Sequence, residues 1–94
     1  MNEMEPEIQP VPAARPLVEY PCRWEYKAIG MDEALMRAAI AEVMADLEHE
    51  LSFSRTSGGG RYCSLLLVVD VESEDHRNAI FTALQGHRDI RLVL

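Results

Sequence analysis

Three consecutive glycines, Gly58, Gly59 and Gly60, stand between two arginines, Arg55 and Arg61. Such a cluster could cradle a phosphate, because glycine lets backbone amides close on an anion and arginine adds charge. That chemistry needs the glycines to end a strand and open a helix, with a Gly-Lys-Ser/Thr finish. Here the glycines lead instead into RYCSLLLVVDV (61–71), the strongest strand pattern in the chain, and the finish is missing. The triplet therefore reads as a hairpin turn, with Arg55 and Arg61 at its tip to meet a carboxylate or an acidic partner.

The remaining reactive residue types give no constellation either. Cys22 and Cys63 form no CxxC pair and have no basic cluster beside them to lower a thiol pKa. His49, His76 and His87 are spaced neither as HExxH nor as a zinc finger. Ser52, Ser54, Ser57 and Ser64 fall in strand or turn patterns without a strand-to-helix elbow. No catalytic residue, cofactor site or metal site is assigned, and the chain is expected not to be an enzyme.

The whole chain has 94 residues, enough for one domain with a modest two-layer core. Sixteen acidic against nine basic side chains give a net charge of −7. With the cations scattered, that field repels nucleic-acid backbones and anionic membranes. The opening MNEMEPEIQP carries acids where a secretory leader carries cations ahead of an apolar run. No stretch approaches the roughly 20 apolar residues of a bilayer span, so a cytoplasmic location with two reduced thiols is expected.

Five prolines and four glutamates fall within residues 1–21, which read as a flexible acidic arm; residues 22–94 form the folded domain. RWEYKAIG (23–30) alternates, with Trp24, Tyr26 and Ala28 on one face and Arg23, Glu25 and Lys27 on the other. Asp32 suits the N-cap of a helix to about Glu50, with Met36, Ala39, Ile40, Val43 and Leu47 as its inner stripe. LSFSRTS (51–57) and RYCSLLLVVDV are strands joined by the glycines, and Leu65, Leu67, Val69 and Val71 share a face. Ser73 caps a second helix with Ile80, Ala83 and Leu84 inward, Gly86 ends it, and DIRLVL (89–94) is a last strand.

The order βαββαβ predicts an α+β, ferredoxin-like two-layer sandwich, with antiparallel sheet order 4-1-3-2 and both helices on one face. Strands one and three are then neighbours, with Gly30 near Arg61 and Cys22 near Asp70. Cys22 and Cys63 are thereby roughly 20 Å apart, beyond disulfide reach. The open sheet face should carry Tyr62, Ser64, Leu66, Val68 and Asp70, with Arg91 and Val93 from strand four, framed by Arg23, Glu25, Lys27 and Ile29. This mixed patch is the expected contact surface for a protein partner or for a homodimer.

The stretches YPCRWEYKAIG (20–30), SGGGRYCSLLLVVDV (57–71) and HRDIRLVL (87–94) together resemble the YbeD-like family of small uncharacterised bacterial proteins. The likeness covers residues 19–94. It rests on an aromatic-Pro start, the strand end at Lys27, Ile29 and Gly30, a Ser/Gly hairpin leading to Tyr62, and an Arg-x-Val-Leu finish at Arg91, Val93 and Leu94. The resemblance implies a ferredoxin-like sheet similar to the ACT regulatory domain, and a regulatory or interaction role. The Pro-rich arm and the aliphatic Leu66 and Val68 depart from its pattern. The alternative to a contact surface is an ACT-like sensor, which would bind a small metabolite at a dimer interface near the first strand–helix junction, here Gly30, Met31, Asp32 and Glu33, where helix amides attract an anion.

Overall fold

The computed structural model describes residues 18–94. Of the proposed arm, residues 1–17 lie outside the described residues. The elements run β1 (Cys22–Gly30), α1 (Glu33–Met44), β2 (His49–Ser57), β3 (Tyr62–Val71), α2 (Glu74–Gln85) and β4 (Leu92–Val93). The four strands form one sheet in the order β2-β3-β1-β4 with antiparallel pairings, which is the expected order read from the other edge.

The strand order makes β1 and β3 central. Tyr26, Ala28, Leu65, Leu67, Val69 and Val71 all point to the helix side and are buried. Burying aliphatic side chains of this size is worth about 1.5–3 kcal/mol each, so this face and the helix residues that meet it drive folding together. The β1–β3 register pairs Cys22 with Val71, Lys27 with Leu66 and Gly30 with Cys63. It is displaced by two residues from the expected Gly30–Arg61 alignment. Because the side-chain period is two, that slip leaves every residue on its predicted face. Cys22 and Cys63 sit at opposite ends of the strand pair as free thiols.

Asp32 caps α1 as expected, its Oδ1 accepting from the Leu35 amide at 2.9 Å. Met36, Ala39, Ile40 and Met44 are the buried residues of that helix. The helix stops at Met44, six residues short of the predicted end at Glu50. Ala45 takes a positive φ of 52°, and its N–H donates to the Ala41 carbonyl. The segment 45–49 holds no Gly or Pro to mark that stop, so local propensity favours continuation. Tertiary demand overrides it: His49 and Glu50 are needed as strand residues opposite Val69 and Val68. Leu47 therefore leaves the helical stripe and packs on the core from the connecting turn.

On α2, the Ser73 hydroxyl accepts from the His76 amide at 3.0 Å. Ile80 and Leu84 are buried, whereas Ala83, predicted inward, is exposed. The glycine triplet is a turn. All three glycines have positive φ (63°, 68° and 88°), and the chain enters β3 directly. A Cβ at Gly59 or Gly60 would meet nothing, so glycine is required there by backbone conformation and not by space.

Candidate interaction surface

With both helices on one side, the other side of the sheet is open, and pairing registers place its side chains in rows. Arg55, Ser64, Ile29 and Leu92 lie across the four strands, followed by Ser52, Leu66 and Lys27. The next row holds Glu50, Val68 and Glu25, and the last Asp70 and Arg23. Lys27 also exchanges two backbone hydrogen bonds with Leu94 (3.0 and 2.9 Å), which puts Leu94 in the second row.

A register shift between Phe53 and Arg55 inserts Ser54 as an extra residue in β2. This bulge turns Arg55 to the open face; an unbroken alternation would have sent it toward the helices. Ser64 is nevertheless buried, its hydroxyl donating to the Arg55 carbonyl at 3.4 Å. Tyr62 stands at the hairpin end opposite Ser57, and Arg61 lies exposed in the turn.

Strand four departs from expectation. Val93, predicted outward, is buried opposite Ala28, while Leu92 and Leu94 face the open side and are 44% and 67% exposed. The final strand is too short to show its own alternation, and both of its phases present aliphatic residues. Arg91 also leaves the predicted patch. It sits beside Met31, with Nη1 3.1 Å from the thioether sulfur, in a cleft shared with Asp32, Leu35, Arg88 and Asp89.

The resulting patch is aliphatic with charged residues along its edge and Lys27 in its middle, between Leu66 and Leu94. Leu66, Val68 and Ile29 are half-buried by their neighbours, and Leu92 and Leu94 continue them to the sheet edge. On the rim, Arg23 reaches both Glu50 at 2.8 Å and Asp70 at 3.5 Å. These pairs are solvent-exposed and add little stability, but they tie three strands together. Among the described residues, Lys27, Arg55 and Arg61 make no ion pair.

The junction residues of the alternative site are already committed. The Asp32 carboxylate occupies the helix N-terminus, and Glu33 binds Arg37 at 2.8 Å. Gly30 is needed for close packing: a Cβ there would lie 2.9 Å from the Asp89 carbonyl and 2.7 Å from the Met36 sulfur. The histidines are structural. His76 Nδ1 accepts from the Glu72 amide, and His87 Nδ1 accepts from the Asp89 amide. That leaves His87 Nε2 to donate to Glu42 at 3.1 Å. Among the described residues no group of three His, Cys, Asp or Glu side chains is arranged to hold a metal. Burial raises the Cys63 thiol pKa, with Glu33 and Asp32 adding to the shift, so a nucleophilic thiolate is disfavoured there.

Sequence reasoning missed Arg77. Its guanidinium lies over the Trp24 ring at 4.4 Å, and Nη1 donates to the Tyr20 hydroxyl at 2.9 Å. Its carbonyl accepts from the Tyr26 hydroxyl at 2.7 Å. Desolvation pushes the Tyr26 phenol up to about 12 despite the opposing charge of Arg77. One residue thus joins the start of the domain, β1 and α2, and walls a cleft of about 560 Å³ with Trp24, Phe81 and Leu94. No spacing signals this, because its partners lie far away in sequence.

This geometry defines the class: a ferredoxin-like α+β domain with a four-stranded antiparallel sheet and two helices. Within that class, the chain belongs to the family described as Protein of unknown function (DUF493), which matches residues 15–94. It is 34% identical to a UPF0250 protein of Shewanella sp. strain ANA-3 over 80 residues, covering 83% of this chain and 91% of that one. An uncharacterised protein of Campylobacter jejuni is 33% identical over 71 residues, covering 76% and 82%. The solution structure of HP0495 from Helicobacter pylori superimposes with a TM-score of 0.75 at 22% identity, covering 95% of this chain and 98% of that one. That likeness shows the fold. The family's description names no enzymatic activity, and among the described residues no helix is long and apolar enough to cross a membrane.

Proposed function

We propose that this chain is a non-catalytic, cytoplasmic regulatory module that docks a protein partner on the open face of its sheet. One observation carries the reading: Ile29, Leu66, Val68, Leu92 and Leu94 gather on that face around Lys27, with Arg23, Glu25 and Arg55 beside them. A surface that mixes exposed apolar and charged side chains in this way has the composition of a reversible protein interface. Arg61 and Tyr62 extend the same surface to the hairpin.

The charge of the face argues for the kind of partner. Four cations (Arg23, Lys27, Arg55, Arg61) stand there against three carboxylates (Glu25, Glu50, Asp70), on a chain whose net charge is −7. A protein with an apolar ridge flanked by acids fits this surface. Nucleic acid and anionic membranes would meet the repulsion of the remaining surface.

Capture from an extract of the source cell tests the reading, with wild-type bait beside the double variant Leu66→Glu, Val68→Glu. The expected result is a partner held by the wild type and lost from the variant, with unchanged circular dichroism. An identical set of captured proteins would contradict the sheet face as the docking site.

A second reading, a sensor of a small organic acid, is favoured by the cleft of about 170 Å³ at the β1–α1 junction, where Arg88 and Arg91 line one side. It predicts a rise in melting temperature with a carboxylate ligand and loss of that rise in Arg91→Ala. The self-capping Asp32 makes it the weaker of the two, since its carboxylate already accepts from the Leu35 amide and would repel an anion there.

A further inference from the structure

The geometry points to a second contact, separate from the sheet face: the first half of β1 is an open sheet edge built to pair with the same segment of a second copy of this chain. β1 is nine residues long, but its outer neighbour β4 has only two. Pairing on that side ends where Lys27 meets Leu94. Hydrogen-bond direction alternates along a strand, so the N–H and C=O of Glu25 and Arg23 point to the same side as those of Lys27. Among the described residues no strand lies against them and neither makes a backbone hydrogen bond on that edge.

The open window is bounded at both ends. Leu94 closes it beside Lys27, and the chain bends away at Tyr20 and Pro21. Five residues remain, Cys22 to Tyr26, with Trp24 at their centre. A two-fold axis through Trp24 sets Cys22 opposite Tyr26, and Arg23 opposite Glu25, of the second copy.

Three features select this register over its neighbours. It lets Arg23 and Glu25 exchange both backbone bonds with Glu25 and Arg23 of the other copy, four hydrogen bonds in all. It faces a guanidinium with a carboxylate twice, the favourable cross-strand pair. Shifting the axis to Arg23 opposes two arginines and presents Pro21, which has no N–H; shifting it to Glu25 opposes two glutamates and collides with Leu94.

The surroundings fit the same partner. The cleft along this edge is lined by Trp24, Arg77, Phe81 and Leu94, and Phe81 is 41% exposed on α2. The two-fold brings the α2 helices of both copies side by side over one sheet, six strands wide at the junction, with each β4 lying beyond the paired window. Phe81 and Leu94, apolar and wet in one copy, then gain cover. An open strand edge with flanking apolar surface is otherwise an aggregation hazard, which closed self-pairing removes.

Sedimentation velocity across a concentration series tests the inference, with the full chain at near-physiological salt. The wild type should move from 10.6 kDa toward twice that mass. Glu25→Pro removes one edge N–H per copy at a position where a lone edge strand tolerates proline, so it should stay folded and monomeric. Glu25→Arg, which opposes like charges, should weaken association by roughly tenfold or more. Leu66→Glu with Val68→Glu should leave the mass unchanged, which separates this contact from sheet-face docking. A wild type that stays monomeric at every concentration, or a Glu25→Pro that dimerises as well as wild type, would overturn the inference.

Discussion

Replacing Arg77 with alanine is the sharpest test of how the domain is held together. The change removes a guanidinium stacked 4.4 Å from the Trp24 ring, worth about 0.5–1 kcal/mol. It also removes the 2.9 Å hydrogen bond to the Tyr20 hydroxyl; bonds of this kind to a charged group are worth about 1.5–3 kcal/mol. Its ion pair with Glu74, at 3.8 Å and with that carboxylate mostly exposed, adds nothing measurable. Against these losses stands the rotamer freedom regained when a half-ordered arginine disappears, of the order of 1–2 kcal/mol. The net cost is about 1–2 kcal/mol, which in a domain this size lowers the melting temperature by roughly 5–15 °C. Thermal denaturation followed by circular dichroism reads that shift directly. Arg77→Lys should fall between wild type and alanine, since it keeps the charge and loses the planar stack. A melting temperature for Arg77→Ala within about 2 °C of wild type would refute the argument that Arg77 joins the domain start, β1 and α2.

Gly30→Ala should destabilise the domain by roughly 1–3 kcal/mol, because the new methyl group overlaps the Asp89 carbonyl, which is backbone and has nowhere to move; urea denaturation checks it. Stability should also fall at alkaline pH through Tyr26. Its folded-state pKa, pushed up to about 12 from an ordinary 10.0, means the folded form keeps its proton longer than the unfolded form. The contribution is whole below pH 10 and is lost as pH rises toward 12. Tyr26→Phe should flatten that part of the pH profile, and an unaltered slope would assign it to other groups.

The parts of this architecture that local pattern could reveal were those with a long, clean signal. Trp24, Tyr26 and Ala28 alternate with charged residues, and Asp32 and Ser73 cap helices whose apolar spacing is unambiguous. Order and handedness came from these. Where the pattern was short or permissive, the reading failed for identifiable reasons. Nothing in Ala45–His49 discourages a helix, so the stop at Met44 is set by β2 and not by its own residues. Leu92, Val93 and Leu94 are all aliphatic, so no contrast told which of them faces inward. The bulge that turns Arg55 outward leaves no mark beyond a serine. Arg77 and the free edge of β1 depend on residues brought together from distant segments, and the second depends on β4 being two residues long. Both are properties of the assembled sheet.

The proposed contact surface is tested most directly by methyl NMR of the folded chain as extract of the source cell is titrated in. The account predicts broadening or shifts concentrated at Ile29, Leu66, Val68, Leu92 and Leu94, with Leu67 and Val71 beneath the helices unaffected. Perturbation confined to Met31 and Leu35 would place binding at the strand–helix junction and contradict it, as would spectra that do not change at all.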